Sequence, residues 1–353
     1  MTLRKLYFGY GLLIVLLNIG VGVIVCENLR LGAAINLFER FGYLHISMRV
    51  VPRNESKWIF REPTVDIFKD IESMKNMKKS VDTNGFNGNF EIAFCDDLQE
   101  LFKTYFQNFS IERLDAPWEP FLESFTNESL AYSLGINVSY VSGDHCYVLV
   151  RISRLSEKAT FSPSFEPTNS SISESVLEKA RTVKEGDVSS VMQFIKTFGS
   201  HYISSYSTGN SMYQVIVYSP KIYRKLKEKI LSAGILEALG SSEINAMFSP
   251  QYAEHMGIVQ TSSGNNTLIE WAQSTLQSSY TISSEDSANE INYTSLLKLY
   301  KNSKLLKELK MLLGNEALLH LNLKTVEPVF KDEKTRNWFV EILDNNLKLW
   351  EVN

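Results

Sequence analysis

Histidine and cysteine are the residues of this chain best suited to acid–base, nucleophilic or metal chemistry, yet their spacing forms no known site. The five histidines, at positions 45, 145, 201, 255 and 320, show no His-x3-His or comparable metal-ligand spacing. Cys146 follows His145, but neighbouring residues of a strand point to opposite faces, which argues against a Cys–His pair. The chain contains no nucleophile elbow, phosphate loop or dinucleotide fingerprint. The sequence therefore predicts a protein that is not an enzyme and uses no metal or cofactor.

Basic residues form the strongest local charge of the chain. A predicted helix begins at Pro220 and runs to about residue 239, and its first turns carry five cations: Lys221, Arg224, Lys225, Lys227 and Lys229. One interpretation is a solvated helix face, with Arg224 and Glu228 paired at i, i+4. The other is a contact surface for anionic lipid head groups or an acidic partner.

The stretch from Asp187 to Tyr218 is the one around which the chain is organised. Asp187 is a good N-cap, and the apolar residues after it recur at helical spacing up to Phe198. Gly199 stands where a helix end favours a residue that tolerates positive φ. Two strand-like segments follow, 202–206 and 212–218, separated by Thr208, Gly209 and Asn210. The pattern predicts a helix, a tight stop and a long bent strand.

Other elements are placed by periodicity. The run 146–152 is the most strand-like in the chain, and a polar segment, 154–186, separates it from the helix that starts at Asp187. Apolar residues at helical spacing predict a long helix at about 293–313 and a last helix that carries Phe339, Leu343 and Leu347 on one stripe.

The N-terminus predicts entry into the secretory pathway. Arg4 and Lys5 precede an apolar stretch that runs to Val25, and Gly20 and Gly22 are small residues suited to a cleavage site. We interpret residues 1–26 as a signal peptide cleaved after about residue 22–26; a signal anchor that stays attached is the alternative. Asn-x-Ser/Thr acceptors support this interpretation: Asn54, Asn108, Asn127, Asn137, Asn169, Asn265 and Asn292.

Composition and cysteine content are consistent with one glycosylated domain. The chain has 353 residues, 44% of them hydrophobic, and a net charge of -4, so the overall balance gives no indication of nucleic-acid binding. If cleavage follows Cys26, two of the three cysteines remain, Cys95 and Cys146. In an oxidising compartment they would form a disulfide, or else remain as two buried thiols.

The five-residue run Phe198-Gly199-Ser200-His201-Tyr202, preceded by an amphipathic helix, resembles the signature of the MACPF (membrane attack complex/perforin) family. In that family a Gly-Gly pair follows where the central sheet bends; here Gly209 matches the first glycine and Asn210 replaces the second. The resemblance implies an α+β fold with a bent antiparallel central sheet flanked by helical clusters. It places one such domain at 27–353, with 321–353 as a C-terminal helical extension. His201 would then have a structural role, as a hydrogen bond at the helix–strand corner.

Within that family the chain is similar to a secreted insect member that consists of little besides the MACPF domain. The similarity is carried by 41–44, 50–53, 94–96, 149–154 and the signature. It implies a developmental factor, located extracellularly at the eggshell or in the perivitelline space, that controls where a receptor tyrosine kinase is activated in terminal patterning. The implied partners are a ligand–receptor system or the eggshell matrix, with peripheral membrane contact as a further option. Nucleic acid and small-molecule substrates are not implied.

The alternative function within the family is membrane perforation. Pore-forming members unfold two helical clusters into β-hairpins, and here the clusters would be about 154–186 and 219–255. A membrane-spanning strand needs about 9–11 residues of alternating polarity. The first segment contains prolines and the sequon at Asn169, and the second has helical periodicity. The sequence therefore favours a member of the family that does not perforate.

The sequons give a first testable prediction. Protein expressed in a secretory eukaryotic cell should appear in the medium and lose mass on enzymatic removal of N-glycans, as measured by intact mass spectrometry. A variant with every sequon asparagine changed to glutamine is the control and should show no shift. Retention of the wild-type chain inside the cell, without glycan, would contradict the secretion hypothesis.

Overall fold

The computed structural model describes residues 29–38, 65–79, 89–118, 126–168, 171–232, 240–284 and 287–352. The strands are β1 (Ala34–Ile35), β2 (Lys75–Lys79), β3 (Asn89–Cys95), β4 (Phe109–Ile111), β5 (Cys146–Phe161), β6 (His201–Tyr218), β7 (His255–Met256), β8 (Gln260–Thr261), β9 (Gln277–Ser284), β10 (Ser287–Thr294) and β11 (Ala317–Thr325). The helices are α1 (Ile71–Met74), α2 (Leu98–Tyr105), α3 (Asn127–Leu134), α4 (Glu174–Ala180), α5 (Val188–Phe198), α6 (Pro220–Ser232), α7 (Ser241–Met247), α8 (Asn266–Thr275), α9 (Ser303–Leu312) and α10 (Glu333–Val352). No helix of these described residues is long and apolar enough to cross a membrane.

Two long strands form the centre of a mostly antiparallel sheet. β5 and β6 pair antiparallel from Cys146 opposite Tyr218 to Thr160 opposite Ser205. On the outer side of β5, β2 and β3 follow one another along the same edge. Three strands, β7, β8 and β11, follow one another along the outer edge of β6. Strand β4 pairs with β11 in parallel. The predicted fold class, a bent antiparallel sheet flanked by helices, is confirmed.

The sheet has an apolar core on each face. Leu149 and Val215 belong to a first core with α5 and α10, whereas Val148 and Ile216 belong to a second core with α6 and α9. Successive side chains of a strand point to opposite faces, so a strand covered on both sides is apolar at every position. This explains why residues 146–152 are continuously apolar except for Arg151.

The sheet bends at the level of Gly209. The register shifts on β5 between Leu155 and Glu157, and on β11 between Leu318 and His320, so both neighbours of β6 bulge beside this glycine. A Cβ atom on Gly209 would lie 2.0 Å from the carbonyl oxygen of Arg154. The glycine is therefore required by the close approach of β5, while β6 itself continues through the bend as one strand.

The edge strands are interrupted near the same level. Residues 80–88 lie between β2 and β3, and residues 262–316 lie between β8 and β11. The second interruption carries α8, α9 and a hairpin of β9 and β10 that pairs only with itself in the described residues. We infer that insertions are accommodated at the bend because strand pairing is already irregular there.

Four predictions from the sequence are wrong in the described residues. β5 extends to Phe161, so 154–161 is strand and not part of a helical cluster. Residues 293–313 are not one helix but the end of β10, a 3-10 turn at Leu296–Leu299 and α9. The proposed helical extension 321–353 begins inside β11, so its first residues belong to the central sheet. The apolar residues at 31, 35, 37 and 38 predict a short helix at 27–42, but residues 29–38 form turns and β1 instead.

The predicted disulfide between Cys95 and Cys146 is also wrong, since both thiols are free. Cys95 lies opposite Tyr147 on β5 and belongs to the first core; Cys146 precedes Tyr147 and belongs to the second. The two side chains therefore point to opposite faces of the sheet, which a disulfide cannot join. Burial raises the pKa of the Cys95 thiol to about 11, so this cysteine is a weak nucleophile.

Gly209→Ala should lower the free energy of unfolding by about 3 kcal/mol because the added methyl group collides with backbone of β5. The matched control is Gly186→Ala: Gly186 has a φ of +81° but nothing within 4 Å of its Cβ position. That change should cost about 1 kcal/mol from backbone conformation alone. Urea denaturation measures both, and equal costs would contradict the steric argument.

Candidate functional site

The signature run lies at the corner between α5 and β6, and Gly199 allows that corner to close. The glycine has a φ of 75° and a ψ of 174° at the end of α5. A Cβ atom there would lie 2.6–2.8 Å from backbone atoms of Ile35. Glycine is therefore required twice, by its conformation and by the approach of β1.

Ser200 connects the corner to β1 through both its backbone and its side chain. Its N–H donates to the carbonyl of Ile35 at 2.8 Å, and its hydroxyl accepts from the N–H of Leu37 at 3.3 Å. Its own carbonyl accepts from the N–H of Val326, just after β11. The serine thus joins a segment near residue 35 to one near residue 326.

His201 is fully buried and bonded through both ring nitrogens. Nε2 lies 2.9 Å from the carbonyl oxygen of Glu112 and therefore donates to it, which leaves Nδ1 to accept from the Ser200 hydroxyl at 2.9 Å. Burial lowers the pKa of His201 to about 4, so the ring is neutral at physiological pH. Both nitrogens are occupied within the protein, an arrangement that fixes the corner and leaves none for a substrate.

Glu112 is a residue that sequence analysis did not single out. Its carboxylate accepts from the N–H of Thr325 at 2.6 Å and from the Thr325 hydroxyl at 2.9 Å, while its carbonyl holds His201. It lies in a turn after β4, where nothing in its neighbourhood forms a motif. Only its proximity to β6 and β11 in the fold reveals the role.

The two aromatic residues of the signature pack into the first core on either side of the corner. Phe198 lies 5.4 Å from Phe194, ring centroid to ring centroid, on α5. Tyr202 meets Phe68 edge-to-face at 5.0 Å, and burial raises its pKa to about 12. The whole signature run is therefore buried.

Asn210 is a buried residue beside the bend whose side chain makes three hydrogen bonds. Its Nδ2 donates to the Ser263 hydroxyl at 2.9 Å and to Glu316 Oε2 at 2.7 Å, and its Oδ1 accepts from the N–H of Ser211. Among the described residues, the non-glycine positions with a positive φ are Asp70, Arg113 and Lys301, so the φ of Asn210 is not positive. The asparagine therefore ties β6 to the segment 262–316 and does not act as a substitute for glycine.

The basic residues of α6 separate into an exposed set and one inward residue. Lys221, Arg224, Lys225 and Lys229 are exposed. Lys227 is half-buried, and its Nζ lies 2.6 Å from Asp96 Oδ1, which lowers the pKa of that carboxyl. Lys227 therefore belongs to the packing of α6 on the sheet, and the other four form the outward face.

The sequons are distributed over several surfaces. Asn108, Asn127, Asn137 and Asn292 are exposed, and Asn265 is half-buried where it caps α8. Asn54 and Asn169 lie outside the described residues. Glycosylation of these sites stays a prediction. Burial does not prevent it at the four exposed asparagines.

One further cluster of titratable residues forms at the other end of the sheet. His145 Nδ1 lies 3.2 Å from Glu254 Oε2, and the ring of His255 stacks on Tyr140 at 5.0 Å. His255 Nε2 accepts from the N–H of Asn137 at 3.3 Å, and burial lowers its pKa. In the described residues no group of three or more His, Cys, Asp or Glu side chains could hold a metal ion.

Comparisons with known proteins give similarity of overall structure only. The sequence matches no protein-family model. No curated protein matches it either. GNIP1Aa from Chromobacterium piscinae has a TM-score of 0.47 and 9% identity over 93% of this chain and 57% of that one.

Two further solved structures are similar to a lower degree. A Bacteroides thetaiotaomicron protein, described as a cell-invasion protein with a MAC/Perforin domain, has a TM-score of 0.41 and 10% identity over 92% of this chain and 61% of that one. Astrotactin-2, a perforin-like membrane protein of vertebrates involved in neuronal development, has a TM-score of 0.34 and 12% identity over 86% of this chain and 97% of that one. The chain spans less than two thirds of the first two proteins.

Neutral His201 predicts a specific pH dependence of stability. Because its folded pKa is about 4 and its ordinary value is 6.5, the unfolded chain binds one more proton between these values. This difference in proton binding contributes about 3 kcal/mol to the free energy of unfolding. The contribution is complete above pH 6.5 and is lost as the pH falls towards 4. Urea denaturation at a series of pH values should show it in the wild type.

His201→Gln, which retains a donor for the Glu112 carbonyl, should lower stability at pH 7 and remove this part of the pH dependence. His145→Gln, at the far end of the sheet, is the control and should retain it. Parallel pH profiles for the wild type and His201→Gln would contradict the assignment of a neutral buried ring.

Proposed function

We propose that this chain is a secreted, glycosylated MACPF-fold protein that acts without catalysis, through contacts with other proteins, and does not perforate membranes. The signature run, its burial at the α5–β6 corner and the bent sheet support the fold part of the proposal. Bonding of both His201 nitrogens inside the protein supports a structural and not a catalytic signature.

The observation that carries the non-perforating part is the position of the two candidate membrane-inserting segments. The connection from β5 to β6, residues 162–200, leaves the sheet where Thr160 lies opposite Ser205. The segment after β6, residues 219–254, leaves where Cys146 lies opposite Tyr218. The two segments therefore emerge at opposite ends of the sheet, an arrangement that opposes their entry side by side into one bilayer.

Refolding of the first segment would also expose apolar surface that the protein now buries. α5 contributes Val191, Phe194, Ile195 and Phe198 to the first core. Burial of such side chains is worth roughly 1.5–3 kcal/mol each. A hairpin that included α5 would lose this contribution as well as the corner at Gly199.

The narrower proposal concerns the biological role. The chain resembles the insect Torso-like protein in its secretion signal, in its single MACPF-like domain and in the stretches 41–44, 50–53, 94–96 and 149–154. We infer a corresponding role: an extracellular factor, acting at the eggshell, that controls where the receptor tyrosine kinase Torso is activated by its ligand. A membrane-binding pore former is the alternative function.

A dye-release assay tests the choice between these functions. Purified glycosylated protein should leave liposomes that contain anionic lipid intact over a wide concentration range, with an established pore-forming protein as positive control. Release of dye in a dose-dependent manner would overturn the non-perforating proposal.

The same vesicles test the exposed face of α6. If this face contacts anionic lipid, co-sedimentation will fall with added salt and fall further in the variant Lys221→Gln, Arg224→Gln, Lys225→Gln, Lys229→Gln. Lys304→Gln with Lys307→Gln, two exposed lysines of α9, is the matched control. Equal binding by both variants would assign the α6 cations to a solvated face.

The receptor role has its own experiment. Insect cells that express Torso and its ligand should show higher receptor phosphorylation when the purified chain is added than when an equal concentration of the heat-denatured chain is added at the same pH. No effect of the wild-type protein would overturn the Torso-like role while leaving the non-perforating fold unaffected.

A further inference from the structure

A polar cavity lies where the sheet bends, outside every site described above. Its volume is about 240 Å³, and it is lined by the end of α2, by β5 and β6, and by the start of β11. The bulges on β5 and β11 open the strands at this level, and the small side chains of Ser153, Ser207 and Ser211 leave the space unfilled.

The cavity wall carries hydroxyl groups on both sides of the bend. Ser153 pairs with Ser211 across the strands, and Lys158 pairs with Ser207, so each pair shares a face. The Ser211 and Ser262 hydroxyls lie 2.5 Å apart, and the Tyr105 hydroxyl lies 3.4 Å from Ser262. Hydroxyl groups rotate, so this network can turn one of its protons towards an acceptor placed in the cavity.

The charge of the wall is positive. Among the described residues that line the cavity there is no Asp or Glu, whereas Arg151 and Lys158 are present. Arg151 is fixed by Glu91, at 2.7 and 3.0 Å, and is neutralised by it. Among the described residues, Lys158 has no carboxylate within ion-pair distance and is exposed at the cavity mouth, so its charge is available to a ligand.

His320 lines the cavity, and its pKa responds to the charge of Lys158. Its Nε2 lies 3.2 Å from the Ser205 hydroxyl. Burial lowers the pKa of His320, the positive charge of Lys158 lowers it further, and a hydrogen bond to the Asn108 backbone opposes both. A bound anion would offset the charge of Lys158 and make protonation of the ring easier.

We propose that this cavity binds an oxyanion group, a sulfate or phosphate ester, carried on a small polyhydroxy ring. Lys158 supplies the charge that attracts the oxyanion, and the hydroxyl of Ser207 and one hydroxyl of the Ser211–Ser262 pair donate to the ester and ring oxygens. The volume is just below that of pockets for drug-sized ligands, which fits one charged sugar unit and excludes a longer chain segment. The proposal is independent of the function proposed above.

The test is a titration of the full glycosylated chain followed by histidine-ring NMR, with His320 assigned from the spectrum of His320→Gln. The probes are glucosamine 6-sulfate, glucose 6-phosphate and, as the neutral control, glucose. Asn108 begins a sequon and lines the cavity, so the titration is repeated after enzymatic removal of N-glycans. We expect at least one charged sugar to raise the pKa of His320, and glucose to leave it unchanged.

Variants decide whether the binding belongs to the cavity. Lys158→Met should weaken it about tenfold, the size of one charge-assisted hydrogen bond, and Lys225→Met on α6 should leave it unchanged. Tighter binding of the sulfate would indicate a sulfated glycan as the source, and tighter binding of the phosphate a phosphorylated metabolite. The proposal is overturned if neither charged sugar shifts His320, if glucose shifts it equally, or if Lys225→Met weakens binding as much as Lys158→Met.

Discussion

Antiparallel pairing of β5 with β6 is the interaction on which the rest of the structure depends. It directs alternate side chains of both strands into two cores, one on each face of the sheet. It also sends the connection before β6 and the segment after β6 to opposite ends of the sheet. The direction of these two strands therefore places the helices before β6 and the helix directly after it at opposite ends of the sheet.

The bend at Gly209 is a second consequence of this pairing. The close approach of Arg154 excludes any side chain at Gly209, and the strands on both sides absorb the strain as bulges. The bend is also where the edge strands are interrupted and where the polar cavity opens. Asn210, buried beside it, holds the long insertion through Ser263 and Glu316.

The corner between α5 and β6 shows how a buried histidine can act as a structural hydrogen-bonding residue. His201 is neutral because it is buried, and each of its nitrogens has a partner within the protein. Together with Gly199 and Ser200 it joins β1, the turn at Glu112 and the end of β11. The corner therefore closes the first core where four distant parts of the chain meet.

Local patterns were sufficient for the elements whose residues determine their own conformation. The capped helix α5, its glycine stop, the strand that begins at Cys146 and the last helix follow from N-cap chemistry, positive φ and periodicity. Periodicity failed at 293–313, because leucines at helical spacing occupy a strand end, a 3-10 turn and α9 in succession. The separation of Cys95 from Cys146, the role of Asn210, the partners of Glu112 and the cavity at the bend depend on strand register and on which face each side chain meets. Register is a relation between distant segments, and only the tertiary structure decides it.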